Sequence, residues 1–477
     1  MTRGAWALQL AALACGSGSP STAPVDGIQT GKQGEVITDL GPDQIQPQQL
    51  WRDCGGSLEC REIQVPLDYA EPGGAQITIA LTRARSWVGQ AHQGMILMNP
   101  GGPGAPGRPF LEAVNAMRVY DLLQGFDLVS FDPRGVGDST PVSCGSGFTP
   151  SDAYTSGGTP ELIRRYESDA ADCRRQIGAL YDHLGSQDVV RDMDSIRAAL
   201  GQEQLNFYGA SYGTRLAALY AQTFPERTRA VALDGPMLPS ADLVALCDGQ
   251  FDALLGAVDE FFADCDAGTL DCPPDVESAV DTLWSDFEGL GAEAQFAGLW
   301  KGLLAQPTGR EDLADILTAL WLYPDLESEL TGTAPASPDE LILTSVNQAV
   351  HCTDQGPDYP SNDTLADIIG GFEQRAPHFA ATGLAVATCA GWPAPPDPVP
   401  TLTAPDSPPL LLIDGQHDIL TPRAFADQMH ASLAHSVLIH SPHYGHGALL
   451  VDNACVKGVV NDYFFDLKLP EDGMTCE

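Results

Sequence analysis

Two neighbouring stretches of the chain alternate apolar and polar positions, residues 61–69 and 76–82, and the Pro72-Gly73-Gly74 turn between them predicts a β-hairpin with one face toward a core. Four later runs are largely apolar: Met95-Ile96-Leu97-Met98, Leu205 to Tyr208 with Asn206 inside it, Ala230 to Leu233, and Leu410-Leu411-Leu412-Ile413. Near-continuous runs of that length predict strands buried on both faces. Residues 126–131 and 436–439 predict two more strands. Between them, helical spacing runs over about 109–123, 160–200, 215–221 and 422–433, and a further helix closes the chain. Strands alternating with helices at this interval predict a mostly parallel central sheet covered by helices on both faces.

The rhythm stops at about residue 240. From there to 400 the chain is helical, shows no strand repeat, and carries 28 Asp or Glu against 3 Lys or Arg. After the proline-rich stretch 393–409 the strand–helix alternation returns. The expected organisation is therefore one sheet domain in two parts, 46–239 and 401–477. A large helical, acidic cap, 240–400, is inserted between the strand near 230–235 and the strand near 410–413.

Charge and cysteines narrow the function classes. A formal net charge of −40 over 477 residues argues against a nucleic-acid partner, which needs a positive surface. It fits either a solvated acidic surface or attraction of cationic substrates. The chain opens with Arg3 and an uncharged apolar stretch, residues 4–14, too short to span a bilayer. Residues 1–15 thus read as an export signal. Ala12-Leu13-Ala14-Cys15-Gly16 resembles a bacterial lipobox, which would lipidate Cys15 and supply the one route to a membrane; plain cleavage and release is the alternative. Residues 16–45 are rich in Gly, Ser, Thr, Pro and Gln and read as a flexible tether. The chain has twelve cysteines. Apart from Cys15, spacing suggests Cys54 with Cys60, Cys144 with Cys173, Cys265 with Cys272, Cys352 with Cys389, and Cys455 with Cys476. Cys247 is left over or competes for Cys265. No C-x-x-C pair occurs and the histidines lack ligand spacing, so disulfides in an oxidising compartment are expected rather than a metal site.

The stretch with the most chemistry is Gly209-Ala210-Ser211-Tyr212-Gly213, a G-x-S-x-G sequence between a predicted strand and a predicted helix. That context makes a nucleophile elbow, in which a sharp turn projects the serine hydroxyl upward; the plain alternative is a tight turn. A serine needs a general base, and the base needs an orienting carboxylate. Asp418, in the loop after the strand ending at Ile413, is the expected acid, with Asp414 bracing the turn. His446, between Gly445 and Gly447, is the expected base, with His443 as its competitor. The Gly102 amide, in Asn99-Pro100-Gly101-Gly102-Pro103-Gly104, and the Tyr212 amide are the expected oxyanion donors. Arg134, in Asp132-Pro133-Arg134-Gly135, reads as half of a buried bracing pair rather than a substrate clamp.

Pro100-Gly101-Gly102-Pro103-Gly104, the segment Asp132 to Ser139, and Gly209 to Thr214 together resemble the proline iminopeptidase and tripeptidyl aminopeptidase branch of the α/β-hydrolases. Gly415-Gln416-His417-Asp418-Ile419-Leu420-Thr421-Pro422 and Gly445-His446-Gly447 resemble the C-terminal region of the secreted tripeptidyl aminopeptidases, and Ala349 to Asp354 is similar to their Cys-x-Asp segment. The likeness covers most of residues 50–477. It implies an α/β-hydrolase fold and an exported serine exopeptidase, without cofactor, that takes short peptides from a free N-terminus. Pro100 stands where proline iminopeptidases carry histidine, which favours the secreted branch. An esterase or lipase on the same machinery is the first alternative, and a non-catalytic binding lipoprotein on a hydrolase scaffold is the second. On this reading Asp354 is a candidate anchor for the substrate ammonium.

Overall fold

A computed structural model of the chain describes residues 51–86, 93–117, 121–144, 150–326, 338–356, 358–393, 397–448, 451 and 453–477. The expected leader, tether and lipobox cysteine Cys15 lie outside the described residues.

Nine strands form one sheet: β1 (Arg52–Gly55), β2 (Leu58–Pro66), β3 (Gln76–Ala84), β4 (Met95–Asn99), β5 (Asp127–Phe131), β6 (Leu205–Ala210), β7 (Thr228–Asp234), β8 (Leu410–His417) and β9 (Ser436–Tyr444). Their order across the sheet is β1-β2-β3-β5-β4-β6-β7-β8-β9. The first three strands and the β3–β5 pair are antiparallel. Every other pairing is parallel. The alternating segments became the hairpin β2–β3, and the largely apolar runs became the parallel centre.

The centre is almost wholly apolar because both faces are covered; among the exceptions, Asn206 and Ser130 donate to the Met95 and Met98 carbonyls. Ile96, Met98, Tyr208, Ala232 and Ile413 face one cluster, with Leu111, Val460 and Phe464 from helices α1 (Gly107–Met117) and α12 (Ala454–Asp466). Leu97, Phe207, Val231, Leu233 and Leu412 face the other, with Val190, Leu216, Tyr220 and Met429. Those come from α3 (Ser186–Ala199), α4 (Tyr212–Thr223) and α11 (Arg423–Ser432). Upstream of α3, α2 (Pro150–Ile177) bends at Gly157 and Gly158.

Between β7 and β8 come α5 (Leu243–Ala267), α6 (Val276–Gly289), α7 (Glu293–Leu304), α8 (Gly309–Leu322), α9 (Pro338–Asp354) and α10 (Asn362–Arg375), then 3-10 turns over Pro377–Ala387. These helices share a core of their own, with Phe251, Phe261, Trp284, Phe296, Trp300 and Phe379 among its buried aromatics. That core also takes in Ile419, Leu420 and Phe425 from the segment just after β8. The inserted helices thus pack onto the loop that carries Asp418. Most of their described acidic residues lie on the outer faces, for example Asp252, Glu260 and Asp281.

Two strands run further than their apolar cores suggested. β8 continues to His417 and β9 to Tyr444, paired through Gly415↔Ser441 and His417↔Tyr444. Backbone pairing carries on past the last apolar residue because the ladder needs only amides and carbonyls. Among the described residues five disulfides join Cys54–Cys60, Cys144–Cys173, Cys265–Cys272, Cys352–Cys389 and Cys455–Cys476, the pairs that spacing suggested. No described cysteine is free, Cys247 included. Among the described residues no helix is long and apolar enough to cross a membrane.

Candidate active site

Ser211 stands between the end of β6 and the start of α4, with φ 56° and ψ −125°. A non-glycine residue at positive φ is strained, and here the strain turns the chain from strand to helix within one residue. Crowding explains the flanking glycines. A Cβ on Gly209 would stand 2.2 Å from the Gly213 carbonyl oxygen, and one on Gly213 would stand 2.7 Å from that of Asn99. The elbow is held by Ser211 N–H donating to the Asp234 carbonyl (2.9 Å) and by Thr214 Oγ donating to the Ser211 carbonyl (2.6 Å).

The glycine-rich loop after β4 lies directly on this turn. A Cβ on Gly101 would meet Ala210 O at 2.5 Å, Tyr212 N at 2.8 Å and Ser211 Cβ at 2.9 Å. The Gly101 amide itself is occupied, donating to Asn99 Oδ1 at 2.9 Å. Gly102 follows with φ 108°. Tyr212 opens α4, so its amide belongs to the positive end of a helix dipole.

Asp418 and His446 meet from two later loops. Asp418 Oδ2 lies 2.7 Å from His446 Nδ1. Asp418 Oδ1 accepts the amides of Leu420 (2.8 Å) and Thr421 (2.9 Å), and Oδ2 also accepts the Thr421 hydroxyl (2.8 Å). Burial pushes the Asp418 carboxyl up, but His446 and the Thr421 donors outweigh it and leave it below the usual aspartate value. Burial likewise pushes the His446 imidazole down, but Asp418 outweighs it and holds it above its usual 6.5. With Nδ1 turned to the carboxylate, Nε2 is the nitrogen left for a reacting group.

The competitors have other partners. His443 Nδ1 lies 2.8 Å from Ser441 Oγ, and burial pushes its imidazole down. Asp414 is fully buried against His440 Nδ1, at 2.9 and 3.0 Å. Arg134 is the bracing residue that its sequence context suggested. It forms a fork on Asp192 (2.7 and 2.8 Å) and donates to the carbonyls of Pro66, Leu67 and His183, with neither charge reaching solvent.

Asp354 requires a correction. It is 1% exposed, accepts the Ser186 amide (2.7 Å) and hydroxyl, and lies 3.7 Å from the Arg215 guanidinium. Ser186 Oγ in turn meets the Tyr212 hydroxyl at 2.6 Å. Asp354 therefore caps α3 and props the elbow from below, with no free oxygen for a substrate ammonium. Three supports had no assigned role in the sequence: Thr421, Asp234, and Ala305, whose carbonyl accepts the His446 amide at 2.9 Å. Thr421 had a local signal, since Asp418-x-x-Thr421 is a side-chain-to-backbone turn pattern. The other two act across the fold and had none.

Among the described residues no group of three or more His, Cys, Asp or Glu is arranged to hold a metal ion.

Comparison with known proteins extends along most of the chain. The family profile for the alpha/beta hydrolase fold matches residues 94–287, and that for TAP-like proteins matches 376–476. A protein of Streptomyces lividans named tripeptidyl aminopeptidase is 28% identical over 89% of this chain and 86% of its own. The serine protease Hip1 of Mycobacterium tuberculosis is 29% identical over 88% of each chain. A Mycobacterium tuberculosis protein named carboxylesterase B is 30% identical over 96% of this chain and 95% of its own. Likeness of that extent runs through both halves of the sheet and the helices between them, so the chain belongs to the tripeptidyl aminopeptidase-like branch of the α/β-hydrolases and is a serine hydrolase.

Proposed function

We propose that this protein is an exported aminopeptidase that releases di- or tripeptides from free N-termini, with Ser211 as nucleophile, His446 as general base and Asp418 as the acid that orients it. The observation that carries the reading is a serine held at positive φ on a strand-to-helix turn, with a buried Asp–His pair at the ends of the neighbouring strands. Ser211 Oγ attacks the scissile carbonyl while its proton passes to His446 Nε2. Asp418 stabilises the imidazolium, and the Gly102 and Tyr212 amides receive the oxyanion. His446 then protonates the leaving amine, and water hydrolyses the acyl-enzyme with the same base.

Support for a peptide substrate is chemical. An α-ammonium is cationic at neutral pH, and the inserted helices are strongly acidic, 28 acidic residues against 3 basic. Relatives named tripeptidyl aminopeptidase and serine protease favour the same class. Export is supported by the leader-like residues 1–15 and by the disulfides, which persist in oxidising compartments; mass spectrometry of the mature N-terminus tests lipidation at Cys15. A carboxylesterase reading keeps the same triad and draws on the relative of that name.

Rates on free and N-acetylated tripeptide anilides separate the two. The aminopeptidase is expected to turn over the free peptide and to lose activity on the blocked one, with Ser211→Ala inactive on both. Equal rates on both would overturn the aminopeptidase reading.

A further inference from the structure

We propose that Asp234 is a positioning residue that ties the serine elbow to the histidine loop and so keeps nucleophile and base in register. This rests on the reading of Ser211, His446 and Asp418 as the reacting set. Asp234 ends β7 and is 1% exposed. Its main chain and its side chain hold different parts of the site. The carbonyl accepts the Ser211 amide at 2.9 Å, fixing the nucleophile's backbone. Oδ1 accepts the Ala448 amide at 2.7 Å, two residues past His446. Oδ2 accepts the Tyr208 hydroxyl at 2.7 Å, from the strand that leads into the elbow.

The next residue completes the junction. Gly235 N–H donates to the Ile413 carbonyl at 2.9 Å, tying β7 to the strand that leads into Asp418. With φ 63°, a Cβ there would stand 2.7 Å from Thr421 Oγ1, 3.4 Å from His446 Cε1 and 3.5 Å from Asp418 Oδ2. One dipeptide therefore bonds the serine turn and the histidine loop, and its glycine leaves no room for a side chain beside the acid loop and the imidazole. A carboxylate suits the position because two buried donors from separate segments each need an acceptor.

The charge matters as well as the hydrogen bonds. Three titratable groups act on or beside His446: Asp418 from the loop after β8, Asp234 from β7, and His443 from β9. Burial opposes the imidazolium, while Asp418 and then Asp234 favour it. The Asp234 bonds described above go to two main-chain amides and the Tyr208 hydroxyl, so it works through the loop and through its field.

The test uses the full chain and the pH profile of kcat/KM on a free tripeptide anilide. Asp234→Asn keeps the size and one acceptor for Ala448 but removes the charge. Its acid-limb midpoint is expected to fall by about half a unit to one unit. Its kcat is expected to fall about tenfold with KM unchanged, as for a small misplacement of reacting groups. Asp234→Ala is expected to lose more kcat, part of which Asp234→Asn restores. An unmoved acid limb with kcat at the wild-type value, or a kcat loss tracked by melting temperature alone, would overturn the role. Should both variants fail to fold, Tyr208→Phe releases Oδ2 without removing the charge. It is expected to lower kcat at constant KM, and an unchanged kcat would overturn the proposal. Fluorophosphonate labelling separates this from the reading beneath it. A wild-type protein unlabelled at Ser211 refutes the triad, whereas a labelled protein with an unmoved Asp234→Asn profile refutes only the role of Asp234.

Discussion

Asp418 Oδ2 and His446 Nδ1 lie 2.7 Å apart with both side chains almost wholly out of water. Two loops that leave adjacent strands meet there. The carboxylate's other contacts, to Leu420 and Thr421, come from its own loop and leave it one direction in which to point.

A pH dependence follows from that pair. On the proposed mechanism His446 must be neutral to act, and its folded value stands above the usual 6.5. The acid limb of kcat/KM is therefore expected above pH 6.5, and Asp418→Asn is expected to move it down while lowering kcat about 10⁴-fold. Stability runs the other way. A histidine whose folded value is raised adds stability that is complete below its unfolded value and is lost as pH rises through the folded one. Rate profiles and urea unfolding across pH 5–9 check both limbs.

Gly101→Ala is expected to cost activity well beyond its size. The new methyl would collide with Ala210 O and Tyr212 N, both backbone, at a residue with φ 94°. The elbow and the glycine loop cannot both stay in place, so kcat is expected to fall about 100-fold or more. Gly256→Ala is the control. It lies on α5 with nothing within 4 Å of the added methyl, and it is expected to gain about 0.5–1 kcal/mol of stability at unchanged kcat.

Arg134→Leu is expected to destabilise by about 3–5 kcal/mol, because it leaves the Asp192 carboxylate buried without its partner. Arg134→Leu combined with Asp192→Leu is expected to recover part of that loss, since the charge is then gone too. Urea unfolding of the single and double variants measures the difference.

Replacing Cys352 and Cys389 together by Ser is expected to cost about 2–4 kcal/mol by opening a loop whose ends are 37 residues apart. The bridge starts two residues before Asp354, so the prop beneath Tyr212 is expected to loosen, and kcat with it. Calorimetry and initial rates on the same samples test both effects.

Much of this protein was written locally in its chain. Largely apolar runs announced β4, β6, β7 and β8, because a strand buried on both faces has few polar positions to spare. The glycines around Ser211 marked a turn too crowded for side chains, and closely spaced cysteines marked their own partners. The proposed set Ser211, Asp418 and His446 came from taking the serine–acid–histidine order of α/β-hydrolases to the ends of the expected strands. Long-range packing decided the rest. Asp354 looked available because its short stretch of sequence says nothing about the end of α3 and the Arg215 guanidinium that close over it. Asp234 looked like an ordinary strand terminus until folding brought Ala448, Tyr208 and Ser211 to its oxygens. The His446 amide found its acceptor at Ala305, more than a hundred residues earlier, where an inserted helix ends against the core. A hydrophobic period records which face of an element is buried. Which polar group it meets there is set by how distant elements pack.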